Sequence, residues 1–164
     1  MHVLHRKQIR LKGYDYCQNG AYFITICSFQ RFSIFGEIIV GQELCSCQLS
    51  NTGYIIESEI IKLEEHFKGI EIDKYVVMPN HVHMIITIGA QRQEQSSCPT
   101  IGNVIQALKS RTTKQANQIE TKPGRKIWQY RYYDHIIRND HDYQLIWNYI
   151  DTNPLRWDKD KYYH

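Results

Sequence analysis

Tyr75-Val76-Val77-Met78-Pro79-Asn80-His81-Val82-His83-Met84-Ile85-Ile86-Thr87-Ile88 is the stretch on which the fold turns. Two apolar, β-rich runs flank a proline that cannot donate to a ladder, so the pattern predicts a strand, a kink and a second strand. Successive side chains of a strand point to opposite faces, which puts both His81 and His83 on one face and Val82 on the other. Side by side, two imidazoles can grip one divalent metal; they can also be two histidines on an ordinary strand. The apolar flanks place the pair within the central sheet.

Upstream, Ala21-Tyr22-Phe23-Ile24-Thr25-Ile26-Cys27 follows an Asn19-Gly20 turn signal and reads as a buried strand. Phe35 to Val40 and Glu43 to Leu49, separated by Gly41-Gln42, read as a hairpin. From Asn51 to Phe67, Ile55, Ile56, Ile60, Ile61, Leu63 and Phe67 recur at helical spacing with acids between them. Downstream, Gln91 to Pro99 is a polar loop, and Ile101 to Asn117 carries Ile101, Val104, Ile105 and Leu108 on one helical face. An aromatic stretch, Ile127 to Arg138, precedes a last helix that starts near Asn139 or Asp140 and stops at Asn153-Pro154. Strands mixed with helices around a hairpin-built antiparallel sheet predict one α+β domain spanning residues 1–164.

A charged fraction of 23% and an apolar fraction of 42% fit a soluble globular chain. No apolar run is long enough to span a bilayer, and the basic start Met1 to Lys7 lacks the apolar stretch of a secretory signal, so a cytoplasmic location is expected. The five cysteines, Cys17, Cys27, Cys45, Cys47 and Cys98, are odd in number and lack zinc-knuckle spacing, which reads as reduced packing residues. The net charge is only +3, but it is unevenly spread. Acids dominate from Glu37 to Asp73, whereas eight Lys or Arg stand against Glu120 and Asp134 between Ile101 and Arg138. Arg6, Lys7, Arg10 and Lys12 form a second basic cluster. Such asymmetry suits a phosphate backbone, and it also suits a solvated basic face.

If Tyr143, Trp147 and Ile150 form the core-facing stripe of the last helix, Tyr149 and Asn153 share a flank at i and i+4. The Asn153 amide oxygen can then serve as a metal ligand and the Tyr149 phenol as a nucleophile. Equally, Tyr149 can be one more packing aromatic among 12 tyrosines.

Four motifs occur in order: Ile9-Arg10-Leu11-Lys12-Gly13-Tyr14-Asp15-Tyr16, Met78-Pro79-Asn80-His81-Val82-His83, Trp128-Gln129 with Tyr133-Asp134-His135-Ile136-Ile137-Arg138, and Tyr149-Ile150-Asp151-Thr152-Asn153-Pro154. From Ile9 to about Trp157 the chain resembles the REP-associated tyrosine transposases, relatives of the single-strand insertion-sequence transposases of the HUH nuclease superfamily. The resemblance implies a ferredoxin-like or RRM-like antiparallel sheet flanked by helices. It further implies Mg²⁺ or Mn²⁺ held by His81, His83 and Asn153, and Tyr149 as the nucleophile that forms a 5′-phosphotyrosine. Single-stranded or hairpin DNA is the implied partner. Relatives include both homodimers and monomers. The phosphate-contact candidates are Arg6, Lys7, Arg10, Lys12, Lys109, Arg111, Lys114 and Arg131, with Trp128, Tyr130 and Tyr132 as candidates for stacking on unpaired bases. The rival readings are a replication-initiation or conjugative relaxase, a metal-dependent hydrolase using water, and a binding-only module for single-stranded nucleic acid.

Overall fold

The computed structural model describes residues 19–40, 45–89 and 100–163. In chain order the elements are β1 (Gly20–Cys27), β2 (Gly36–Val40), β3 (Cys45–Leu49), α1 (Asn51–Ile61), α2 (Leu63–His66), β4 (Ile70–Met78), β5 (His81–Ile88), α3 (Ile101–Ile119), β6 (Tyr133–Ile137) and α4 (Asp140–Thr152). A 3-10 segment, Pro154–Lys159, follows α4. Four strands form one antiparallel sheet in the order β4-β5-β1-β6, and β2 pairs with β3 as a separate hairpin. The run β1-α1-β4-β5-α3-β6 in that strand order is the ferredoxin-like arrangement, with the β2–β3 hairpin and α4 as additions. Among the described residues, no helix is long and apolar enough to cross a membrane.

The two expected strands are β4 and β5, and the Pro79-Asn80 interruption between them is a hairpin turn. Met78 pairs with His81, and the ladder runs back to Ile70 opposite Ile88. Both apolar runs thereby satisfy their backbone groups against each other, and the proline occupies a turn position where its missing N–H is not needed.

The helices start where side chains can accept from otherwise unpaired N–H groups. Ser50 accepts from Gly53 N, Thr100 from Asn103 N, and Asn139 from Asp142 N. The single helix expected over residues 51–67 divides at Lys62: Leu63 turns into the core, whereas Ile61 is 59% exposed. Gly53 is required by close packing, because a Cβ there would lie 2.0 Å from the Phe35 carbonyl oxygen.

Register assigns the two sheet faces. Tyr22, Ile24 and Ile26 of β1 and Val82, Met84 and Ile86 of β5 face α1 and α3, where they join Ile56, Ile60, Val104, Ile105 and Leu108 in the main core. Burying each such side chain contributes about 1.5–3 kcal/mol before chain entropy is set against it. Phe23, Thr25 and Cys27 pair with Ile85, His83 and His81 on the opposite face. There, among the described residues, Phe23 and Ile85 of the sheet and Ile150 of α4 form a small buried cluster.

Candidate active site

His81 and His83 are both fully buried, with ring centroids 4.4 Å apart. Asn80 fixes the first ring. Its Nδ2 donates to the Arg31 and Tyr162 carbonyls at 3.1 and 2.7 Å, so its Oδ1 is left to accept from His81 Nδ1 at 2.9 Å. That proton on Nδ1 leaves Nε2 with a bare lone pair, the form in which an imidazole ligates metal. Across the sheet, Thr25 Oγ1 lies 2.8 Å from His83 Nδ1 and orients the second ring.

α4 brings the phenol. Of its expected core stripe, Ile150 is buried, while Tyr143 and Trp147 pack half-buried against the small cluster. The Tyr149 hydroxyl lies 3.2 Å from His83 Nε2 and donates to Asp160 Oδ2 at 3.3 Å. One turn on, Asn153 is buried and donates its Nδ2 to the same Asp160 oxygen at 2.8 Å. This fixes the amide orientation and leaves Asn153 Oδ1 with no partner. Among the described residues, His81 Nε2 and Asn153 Oδ1 are both buried without a hydrogen bond. A bare imidazole nitrogen and a bare amide oxygen, meeting beside His83, form a donor set that suits a divalent cation.

Asp160 was not foreseen. One ligand atom each from His81, His83 and Asp160 lies within 4.8 Å of the others. Its carboxylate is already engaged, however, by Asn153, by Tyr149 and by the Tyr162 backbone N–H at 2.7 Å. Thr25, Asn80 and Tyr162 were also missed. The Tyr162 ring lies 4.6 Å from that of His81 and closes one side of the site.

The electrostatics follow from burial. Desolvation pulls His81 down to about 4, against the upward pulls of the Asp160 charge and the Asn153 amide. It pulls His83 well below the usual histidine range, with His81 adding to the effect. Both rings are therefore neutral and able to ligate near pH 7. Burial raises the Tyr149 phenol, and the Asp160 charge raises it further, so the hydroxyl is held protonated.

An open cleft beside the phenol is lined by Tyr149, Asn153, Asp160 and three cations, Arg156, Lys159 and Lys161. None of these cations stood among the sequence candidates. Arg6, Lys7, Arg10 and Lys12 lie outside the described residues. Lys114 and Arg131 are exposed. Arg111 donates to His66 Nε2 at 2.6 Å and lies 3.9 Å from the buried Glu59 carboxylate, at the outer side of α1 and α3. Lys109 donates to the carbonyls of Gln129, Tyr130 and Arg131, so its ammonium is spent on the protein's own backbone. Trp128 is a core residue and not a stacking platform: it is 8% exposed, packs 4.8 Å from Phe35, and donates its indole N–H to Thr112 Oγ1 at 2.8 Å.

Comparison with known proteins identifies the family. The family described as "Transposase IS200 like" matches residues 52–153, which include the histidine pair, Tyr149 and Asn153. An uncharacterized protein of Haemophilus influenzae is 34% identical over 176 residues, covering 98% of this chain and 94% of its own. The REP-associated tyrosine transposase of Escherichia coli K12 is 29% identical over 143 residues, covering 86% of this chain and 70% of its own. Among solved structures, a REP-associated tyrosine transposase bound to a REP hairpin superposes with a TM-score of 0.62 at 23% identity, over 90% of this chain and 73% of that one. A putative transposase from Deinococcus radiodurans gives 0.50 at 17% identity, over 87% and 95%. The family match covers well over half of the sequence, and the chain belongs to the IS200-like transposases, as an HUH-type tyrosine transposase acting on DNA.

Proposed function

We propose that this transposase cleaves and rejoins single-stranded DNA beside a hairpin, with Tyr149 as the nucleophile. The observation that carries the reading is the Tyr149 hydroxyl 3.2 Å from His83 Nε2, next to the partnerless His81 Nε2 and Asn153 Oδ1. His81, His83 and Asn153 would hold the cation, with Asp160 fixing the Asn153 amide through its Nδ2. Mg²⁺ or Mn²⁺ bound there supplies positive charge that lowers the energy of charge building on the phosphate oxygens.

The chain's own residues supply the rest. Phe23 packs edge to face 6.0 Å from the Tyr149 ring, and the hydroxyl lies between His83 Nε2 and Asp160 Oδ2. Arg156, Lys159 and Lys161 line the cleft through which a phosphodiester reaches it. A bond forms between Tyr149 Oη and phosphorus, and the bond from phosphorus to the 3′-oxygen breaks. The phenol gives up a proton and the departing 3′-oxygen gains one. One phosphoester replaces another, so the reverse step can join a second 3′-hydroxyl without ATP.

The similar structure bound to a REP hairpin supports hairpin DNA as the partner. A pool of labelled hairpin oligonucleotides with single-stranded flanks, incubated with Mn²⁺, should yield a denaturant-resistant adduct that mass spectrometry maps to Tyr149. Metal-independent binding with no adduct from any hairpin would instead identify a binding-only protein. An adduct at Tyr143 or at the Tyr130–Tyr133 cluster would keep the chemistry and move the nucleophile.

A further inference from the structure

Between β1 and β6 the chain crosses the end of the sheet nearest the histidine pair without regular pairing. Gln129 N donates to the Cys27 carbonyl, and Tyr133 pairs with Thr25, the residue that orients His83. One side chain reaches the backbone of this stretch at three successive carbonyls. Lys109 Nζ reaches the consecutive carbonyls of Gln129, Tyr130 and Arg131 at 2.7, 3.3 and 3.1 Å. Three acceptors call for the three N–H donors of an ammonium, which a neutral amine cannot supply.

At the crest of this pinned loop stands Tyr130, 97% exposed. Its neighbours in the aromatic stretch have other places: Trp128 is in the core, and Tyr132 packs half-buried against it with Lys109 Nζ 6.0 Å from its ring centroid. A single exposed ring is ordinary on a protein surface; what sets Tyr130 apart is that its backbone carbonyl is fixed by the partly buried Lys109 ammonium, so the ring is presented from a held loop. Tyr133 continues the trail toward the chemistry. It is 43% exposed, packs edge to face 6.3 Å from Phe23, and has Lys161 5.5 Å from its ring centroid. Tyr133 follows Tyr130 by three positions, at most about 11 Å of chain.

We propose that the Lys109-pinned loop is a clamp for the single-stranded flank, on which Tyr130 stacks an unpaired base while exposed Arg131 meets the adjoining phosphate. The inference rests on the single-strand reading above and adds to it the residue that holds the strand. An unpaired base is the occupant because bases within a duplex are already stacked and cannot offer a face to a tyrosine. Lys109 is then a positioning residue, acting through the loop.

The test is fluorescence anisotropy in EDTA, with a short random-sequence single strand and a blunt duplex of equal length as probes. Tyr130→Ala should weaken single-strand binding roughly tenfold or more, as loss of a base–aromatic stack does, and leave duplex binding unchanged. Tyr130→Phe keeps the ring and should bind as the wild type does. Lys109→Met should weaken single-strand binding alone, and combining it with Tyr130→Ala should add little, since both remove the same platform. Wild-type affinity in Tyr130→Ala, or equal losses on both probes, would overturn the clamp and leave cleavage at Tyr149 standing. Failure of the wild type to bind single strands would overturn the single-strand reading and the clamp together. If Lys109→Met does not fold, the Tyr130 pair of variants still decides.

Discussion

The two faces of the four-stranded sheet are built from alternate residues of the same strands, yet they are chemically unlike. On the face toward α1 and α3, Val82, Met84 and Ile86 meet Tyr22, Ile24 and Ile26, all without exposed surface. On the face toward α4, His81 and His83 meet Cys27 and Thr25, and two buried polar atoms have no partner. The strand side chains of the first face are apolar. Among the described residues, the buried polar atoms without a hydrogen bond on that side, Glu59 Oε2, Asn117 Oδ1 and Arg125 Nε, belong to the helices and the loop after α3; on the second side two such atoms, His81 Nε2 and Asn153 Oδ1, fall within one site. The larger hydrophobic core lies on the first face, and the second combines a small cluster with the two partnerless atoms.

Variants on the second face should abolish chemistry and spare the fold. Tyr149→Phe keeps the ring against Phe23 and removes only the hydroxyl, so the covalent adduct and strand transfer should vanish while the thermal unfolding profile barely moves. Replacing both His81 and His83 by alanine should eliminate Mn²⁺ binding in isothermal titration calorimetry together with cleavage. Unchanged cleavage in that double variant would remove the histidine pair from the mechanism.

Variants on the first face should do the reverse. Ile86→Ala creates a cavity among fully buried side chains and should lower unfolding stability by about 2–5 kcal/mol, measured by urea denaturation. Adduct yield per folded molecule should stay at the wild-type level. A proportionate loss of adduct would show that the two faces are coupled through the strand.

Asn80 marks the boundary, because it holds backbone carbonyls and the His81 ring at once. Asn80→Ala frees the His81 ring to rotate and to exchange its Nδ1 proton. Loss of such an orienting partner lowers metal affinity by roughly 10–100-fold, and titration of the folded variant with Mn²⁺ should show a drop of this size.

The sequence carried the parts of this arrangement that are local. Period-two alternation placed the histidines on one face, and i,i+4 spacing placed Asn153 beside Tyr149. The β2–β3 hairpin, α3 and the end of α4 were legible for the same reason. What was not legible comes from register and return of the chain. Thr25 meets His83 only through strand pairing 58 residues apart, and Asp160 arrives through a 3-10 turn after the proline that ends α4. Pro79-Asn80 signals an interruption, and a proline between two strands of similar length suits a hairpin as well as a kink. Charge counting found the basic stretch but could not separate Lys109, consumed by three carbonyls, from exposed Lys114 and Arg131.

Trp128 and Tyr130 give the smallest and most discriminating contrast, since two residues apart in one aromatic stretch they occupy opposite environments. Trp128 donates to Thr112 Oγ1, whose own proton goes to the Leu108 carbonyl at 2.7 Å, so the indole belongs to a short buried chain of hydrogen bonds. Trp128→Phe removes the donor and leaves that oxygen with one bond fewer, which should lower stability by about 1 kcal/mol, with a further decrement for the smaller ring. Single-strand affinity should not change, because the ring does not reach solvent enough to stack on a base. The exposed neighbour should behave in the opposite way, Tyr130→Ala losing affinity and keeping stability. Measuring urea midpoints and anisotropy on the same two proteins separates packing from binding: a Trp128→Phe protein of normal stability that binds single strands poorly would move the stacking platform from Tyr130 into the core position.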